Sequence, residues 1–332
     1  MGNSSRMTFF FIYTLLRRGL LLACLLLATP AWCAEILLTA AEDGDGVQAF
    51  AQALAQQRPE DRVTFKPLKD LPAPSRLPAN TRLILLDLPG LDWRLQETQG
   101  PPTLVLRISR LQAHQRLGTT QPPRISLLWS DPPLDRQLRL IANVLPQARR
   151  IGVLYGAESE FLLPELRQYA TPMDLEIVPQ RWDNISDSRP LQTLFRNSDV
   201  LLGLDDPQLY NPKTAKNLLL SSYAQQLPLV GPNAGFVRAG SLASTYSDQS
   251  DWLAVLNRLL DHPPATWPRS LYPDHFKVVG NPQVARSLGI EQVDESSVAA
   301  RLDEGEKRPR PCVDVGISTP APSSSPWARR CC

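Results

Sequence analysis

Residues 227–248 read LPLVGPNAGFVRAGSLASTYSD, the pattern of a buried strand, a tight turn, a short helix and a second buried strand. The runs at 227–231 and 241–245 lack the apolar–polar alternation of a half-exposed strand, so both faces of each are expected to be covered. Between them Gly231, Gly235 and Gly240 carry no side chain, and Asn233 offers both a donor and an acceptor. A connection with so little bulk lets backbone approach backbone, or lets a ligand approach it. Gly235 and Gly240 serve equally well as caps of the short helix.

The same grammar extends upstream. RIGVLY (150–155), LEIV (175–178) and DVLLGL (199–204) read as strands, with helical stretches near 158–169, 190–197 and 211–226. An earlier series runs through EILLT (35–39), RVTF (62–65), RLILLD (82–87), TLVLRI (103–108) and ISLLW (125–129). Its clearest helices are 46–57, with Val47, Phe50, Ala51 and Leu54 at helical spacing, and 133–145, which follows Asp131-Pro132-Pro133. Two consecutive βα series predict an α/β protein of two Rossmann-like lobes with parallel sheets. Lobe 1 is expected over 35–130 and lobe 2 over 131–247. The elements after 250, DWLAVLNRLLDH (251–262), FKVVG (276–280) and NPQVARSLGI (281–290), are too few for a third lobe. They are expected to cross back, completing lobe 1 over about 248–275 and lobe 2 over about 276–302. Such hinge crossovers leave an interlobe cleft for a ligand.

Composition narrows the function. A net charge of +2 gives no reason to invoke nucleic acid. All five cysteines lie outside 34–311, so the body has no disulfide framework and no cysteine nucleophile. The three histidines, His114, His262 and His275, have no metal-ligand spacing. No P-loop, dinucleotide fingerprint or Gly-x-Ser-x-Gly elbow occurs, so neither a cofactor nor an enzyme is expected, although an unrecognised cleft hydrolase stays open. Arg17-Arg18, the apolar run 19–28 and the small residues around Cys33-Ala34 read as a secretory signal over 1–34, the run being short of the roughly 20 residues that span a bilayer. A periplasmic location follows. The Pro-, Ser- and Arg-rich end reads as a disordered tail over 303–332.

Four segments carry a family resemblance: ISLLWSDPPLDRQLRLIANVLPQARRIGVLY (125–155), DVLLGLDDPQLYNP (199–212), LPLVGPNAGFVRAGSLASTYSD (227–248) and YPDHFKVVGNPQVARSLGI (272–290). In this order and spacing the chain resembles the periplasmic substrate-binding proteins of ABC transporters. The fold implied is the type I periplasmic binding fold, in the branch that includes binders of aromatic amino acids and related small molecules. The resemblance implies a monomer that closes two lobes on a small molecule and hands it to an inner-membrane ABC permease. A ligand-sensing accessory role, docking on a membrane receptor or sensor kinase, is the alternative. The first lobe departs from the family, with DLPGLDW (87–93) where a small Gly/Ser/Ala loop is usual.

Ligands of open parallel sheets sit at the carboxyl ends of the strands. That rule selects Asp205 and Asp206 after the 199–204 run, Asn233 in the opening stretch, Tyr155 and Tyr246 at strand ends, and Asp87 at the start of the divergent loop. A carboxylate there can hold a ligand amine, and the tyrosine rings can stack or face a cation. Asp206 serves equally as a cap for the helix that follows.

Overall fold

The continuous Leu/Ile/Val runs become the interior strands of two sheets, because only a strand covered on both faces can bury every side chain of such a run. The computed structural model describes residues 34–118 and 120–307. The expected signal, apart from Ala34, and the part of the expected tail beyond Lys307 lie outside the described residues. Among the described residues no helix is long and apolar enough to cross a membrane.

The chain divides into two compact units, Met1–Val105 with Pro263–Thr266 and Leu106–His262 with Trp267–Cys332. The first unit holds β1 (Glu35–Thr39), α1 (Asp45–Gln57), β2 (Arg62–Phe65), β3 (Arg82–Leu85) and α2 (Leu88–Arg94). It also holds the start of β4 (Thr103–Ile108). β1 pairs in parallel with β2 and β3, and β3 with β4. Ile36, Leu38, Leu83, Ile84, Leu104 and Val105 have no exposed surface.

The second unit continues with α3 (Arg110–Leu117), β5 (Ile125–Trp129), α4 (Leu134–Val144), β6 (Arg150–Tyr155), α5 (Leu163–Ala170) and β7 (Glu176–Arg181). Then come α6 (Arg189–Asn197), β8 (Val200–Leu202), α7 (Pro212–Ala224), β9 (Leu229–Val230), α8 (Ala234–Ala239), β10 (Ala243–Tyr246) and α9 (Gln249–Leu260). It closes with β11 (Ser270–Leu271), β12 (Lys277–Gly280), α10 (Pro282–Ser287) and α11 (Glu295–Lys307). The strand orders are β11-β5-β4-β3-β1-β2 and β12-β10-β9-β8-β6-β7. Every pairing described is parallel except that of β12 with β10. The chain thus returns to the first sheet for β11 and to the second for β12.

The opening stretch folds as read, and its glycines have physical causes. A Cβ on Gly231 would stand 2.4 Å from the Ser241 hydroxyl and 3.0 Å from Phe236 Cβ. Gly240 ends α8 at φ +128, where an L side chain is strained.

Two expectations are corrected, and one helix was not anticipated. DLPGLDW is not a loop: Asp87 caps α2, accepting from the Gly90 N–H at 2.9 Å, and Pro89 sits in its first turn. Residues 110–117 form a helix closed by a Ser109–Gln112 capping box. Residues 303–307 are not tail but the last turn of α11. Val298 and Leu302 supply its buried face, and Glu306 pairs with Arg136, which is 4% exposed and lies 3.8 Å from the Phe276 ring centroid.

Candidate functional site

In the second sheet the order β10-β9-β8-β6-β7 makes the connections after β6 and β8 leave to opposite sides, so a crevice opens at the carboxyl ends of those two strands. The loop after β6 and the loop after β8 are stitched together there. Ser159 Oγ donates to Asp206 Oδ2 at 2.6 Å, the Gly156 N–H donates to Ser159 Oγ at 3.0 Å, and the Gln208 N–H donates to Asp206 Oδ1 at 2.9 Å. Ser159 and Asp206 are almost fully buried. Both oxygens of Asp206 therefore serve internal donors. The cap of α7 is Asn211, whose side chain accepts from Lys213 and Thr214. Asp206 is neither a free ligand carboxylate nor that helix's cap; it locks the two loops.

Asp205, one residue earlier, is placed differently. Its carboxyl takes a side-chain hydrogen bond from Asn233 and is raised above its ordinary value, by burial first and then by the Asp206 charge. Asn233 is the N-cap of α8, its Oδ1 accepting from the Phe236 N–H at 3.1 Å. The cap fixes the amide so that its NH2 is free to face Asp205. The capping role of Asn233 was not anticipated, and the Asp205 contact comes with it.

A third carboxylate joins from a position sequence reasoning had assigned to helix initiation. Asp131, just after β5, accepts from the Arg110 N–H at 2.8 Å. Burial pushes its pKa from 3.8 up to about 7, and the Asp205 charge pushes in the same direction. The Tyr272 hydroxyl is raised as well, by burial and then by the Asp131 charge. The signal for Asp131 was present in the sequence: like Asp205, it follows an apolar strand almost directly. Arg110, whose main chain holds Asp131, places its guanidinium in a two-pronged pair with Glu165, Nη1 to Oε1 at 3.0 Å, and its charge works against the rise of Asp131.

Tyr155 and Tyr246 end β6 and β10, both half-buried, Tyr155 packed against the core and Tyr246 opposite Lys277 in the ladder. Asp87 belongs to the first unit. Its oxygens accept from Ala41 N at 2.6 Å and Gly90 N at 2.9 Å, so it joins the loop after β1 to the end of β3. That is the counterpart, in the first sheet, of what Asp206 does between β6 and β8. Each switch point is thus closed by one carboxylate whose oxygens are used up in the closure. Among the described residues no group of three or more His, Cys, Asp or Glu side chains could hold a metal ion.

No protein-family model matches the sequence, and no curated protein matches it. Solved structures do. A substrate-binding protein with adhesive properties from Clostridium difficile, in its ligand-free, open form, matches at TM-score 0.61 and 16% identity, covering 79% of this chain and 96% of its own. The ABC domain in complex with L-Trp from Streptococcus pneumoniae matches at TM-score 0.53 and 18% identity, covering 80% and 97%. A conserved domain protein from Vibrio cholerae matches at TM-score 0.53 and 17% identity, covering 81% and 98%. At these identities the likeness is one of fold. The chain has the type I periplasmic binding fold, as the sequence resemblance led us to expect.

Proposed function

We propose that this protein is an exported, non-catalytic solute-binding protein, which captures an amine-bearing small molecule such as an amino acid in the periplasm and hands it to an ABC permease. The observation that carries the ligand class is Asp205. It stands just after β8, and its charge acts on a second carboxylate, Asp131; both are held above their ordinary pKa by burial. Two such groups are costly when both are ionised, and a ligand ammonium held by them would relieve that cost by charge-assisted hydrogen bonds. Asn233 orients Asp205, and the half-buried rings of Tyr155 and Tyr246 supply faces for a flat or cationic group. Asp206 holds together the loops after β6 and β8, next to Asp205 in the chain. The fold supports the transport setting, since its relatives in structure include substrate-binding proteins.

The test is thermal-shift screening with compound pairs that differ only in the amine, for example an amino acid and its hydroxy-acid analogue. A ligand that binds only the native state stabilises it by about 2.7 kcal/mol at a hundredfold excess over its Kd, so a hit is readily seen. For a hit, Asp205→Asn is expected to raise Kd about ten- to a hundredfold with melting no lower than that of the wild type. Equal response to both members of each pair, or an unchanged Kd in the variant, would remove Asp205 from the site.

A further inference from the structure

Helices α7 and α8 leave a groove of about 570 Å³ between them, lined mainly by Ala215, Leu219, Leu220, Gly235, Phe236 and Ala239. Tyr210 packs edge-on against Phe236 beneath it, their ring centroids 5.6 Å apart. Among the described residues the exposed large hydrophobic side chains are Ile185, Leu220 and Tyr223, and the last two lie on α7. Lys213, Lys216, Leu220 and Tyr223 follow one another at intervals of three and four, so they form a single exposed stripe, basic at its start and apolar at its end. Among the described residues Lys216 is the charged one that lines the groove, and the Arg238 guanidinium lies beside Gly235 on the opposite wall, 3.8 Å from where its Cβ would be. No Asp or Glu occurs between Pro207 and Ser247. An apolar trough with Lys216 on one wall and Arg238 beside the other is complementary to an acidic amphipathic surface.

We propose that this groove is the docking site for an acidic amphipathic helix of a partner protein. A recessed trough between two helices is filled by a row of side chains, whereas a bilayer surface is better met by a protruding apolar ridge. On a second copy of this chain the acidic helix α11 could not serve, because its apolar residues Val298 and Leu302 are already buried.

The experiment is selection of random peptides of about three helical turns on the immobilised full chain, with Lys216→Glu/Leu220→Ser as counter-selection. Peptides lost on the variant are expected to be net acidic, with apolar residues at i, i+3 or i+4, and to bind it at least about tenfold more weakly. Both residues are exposed, so the melting temperature should be unchanged; if it falls, Tyr223→Ser replaces Leu220→Ser. The proposal is overturned if no selected peptide depends on these residues, or if those that do are neutral or basic. It is also overturned if the variant loses binding to phosphatidylglycerol vesicles, which would make the face a lipid surface. A concentration-dependent dimer that the variant abolishes would assign the face to self-association.

Discussion

Replacing Asp131 with Asn should make the protein more stable at neutral pH and alter the shape of its pH profile. The carboxyl titrates at about 7 in the fold against an ordinary value of 3.8, chiefly because burial disfavours the charged form. Between those values the unfolded chain has released this proton while the folded chain keeps it. The native state then binds more protons, and stability falls as pH rises through the window, with the full penalty in place above about 7. From about pH 5 to about pH 7 this amounts to at most ~2.7 kcal/mol, at ~1.36 kcal/mol per unit. The side chain is partly exposed, so water reduces the figure to about 1–2 kcal/mol. Asn keeps an oxygen for the Arg110 N–H and cannot ionise. Urea unfolding of both proteins across about pH 5 to 8, at constant ionic strength, should therefore give curves that diverge by about 1–2 kcal/mol, the variant gaining on the wild type as pH rises. Parallel curves, or a wild type that gains on the variant, would refute the buried-carboxylate account.

Removal of the Asp206 carboxylate by Ala should cost about 2–4 kcal/mol in urea unfolding, because the buried Ser159 hydroxyl and the Gln208 N–H both lose their acceptor; a loss under about 0.5 kcal/mol would show that the lock is not needed. Gly231→Ala should destabilise by about 1–3 kcal/mol through its clash with Ser241, and Ser241→Ala in the same chain should recover part of the loss, which thermal melts of the single and double variants would reveal. Glu306→Gln should lower stability by about 1–2 kcal/mol, since it takes the charged partner from the Arg136 guanidinium; an unchanged melting temperature would mean that the last turn of α11 contributes nothing.

Much of the fold was legible because its strands are continuous apolar runs. EILLT, TLVLRI, ISLLW and RIGVLY occupy the residues the pattern indicated, and α4 starts one residue after Pro133. Legibility failed where local signals were polar or brief. β11 has two residues and no pattern of its own; it exists because the edge of β5 offers hydrogen-bonding groups to Ser270 and Leu271. The last turn of α11 reads as tail because its apolar spacing ends at Leu302, and its partner Arg136 lies 170 positions away.

For the site, strand-end position alone selected Asp205, Asp206, Asn233, Tyr155, Tyr246 and Asp87. The sequence by itself determined that carboxylates would gather at the ends of buried parallel strands, since a strand's apolar run must stop where the chain turns into a polar loop. Tertiary structure decided what each carboxylate does. Asp205 and Asp206 are adjacent and chemically identical, yet Asp206 turns to Ser159, 47 positions back, and spends both oxygens there and on Gln208. Asp205 turns to Asn233, and its charge acts on Asp131. A carboxylate's availability depends on which donors are within hydrogen-bonding distance and on how much water remains around it, and both are set by residues far away in the chain.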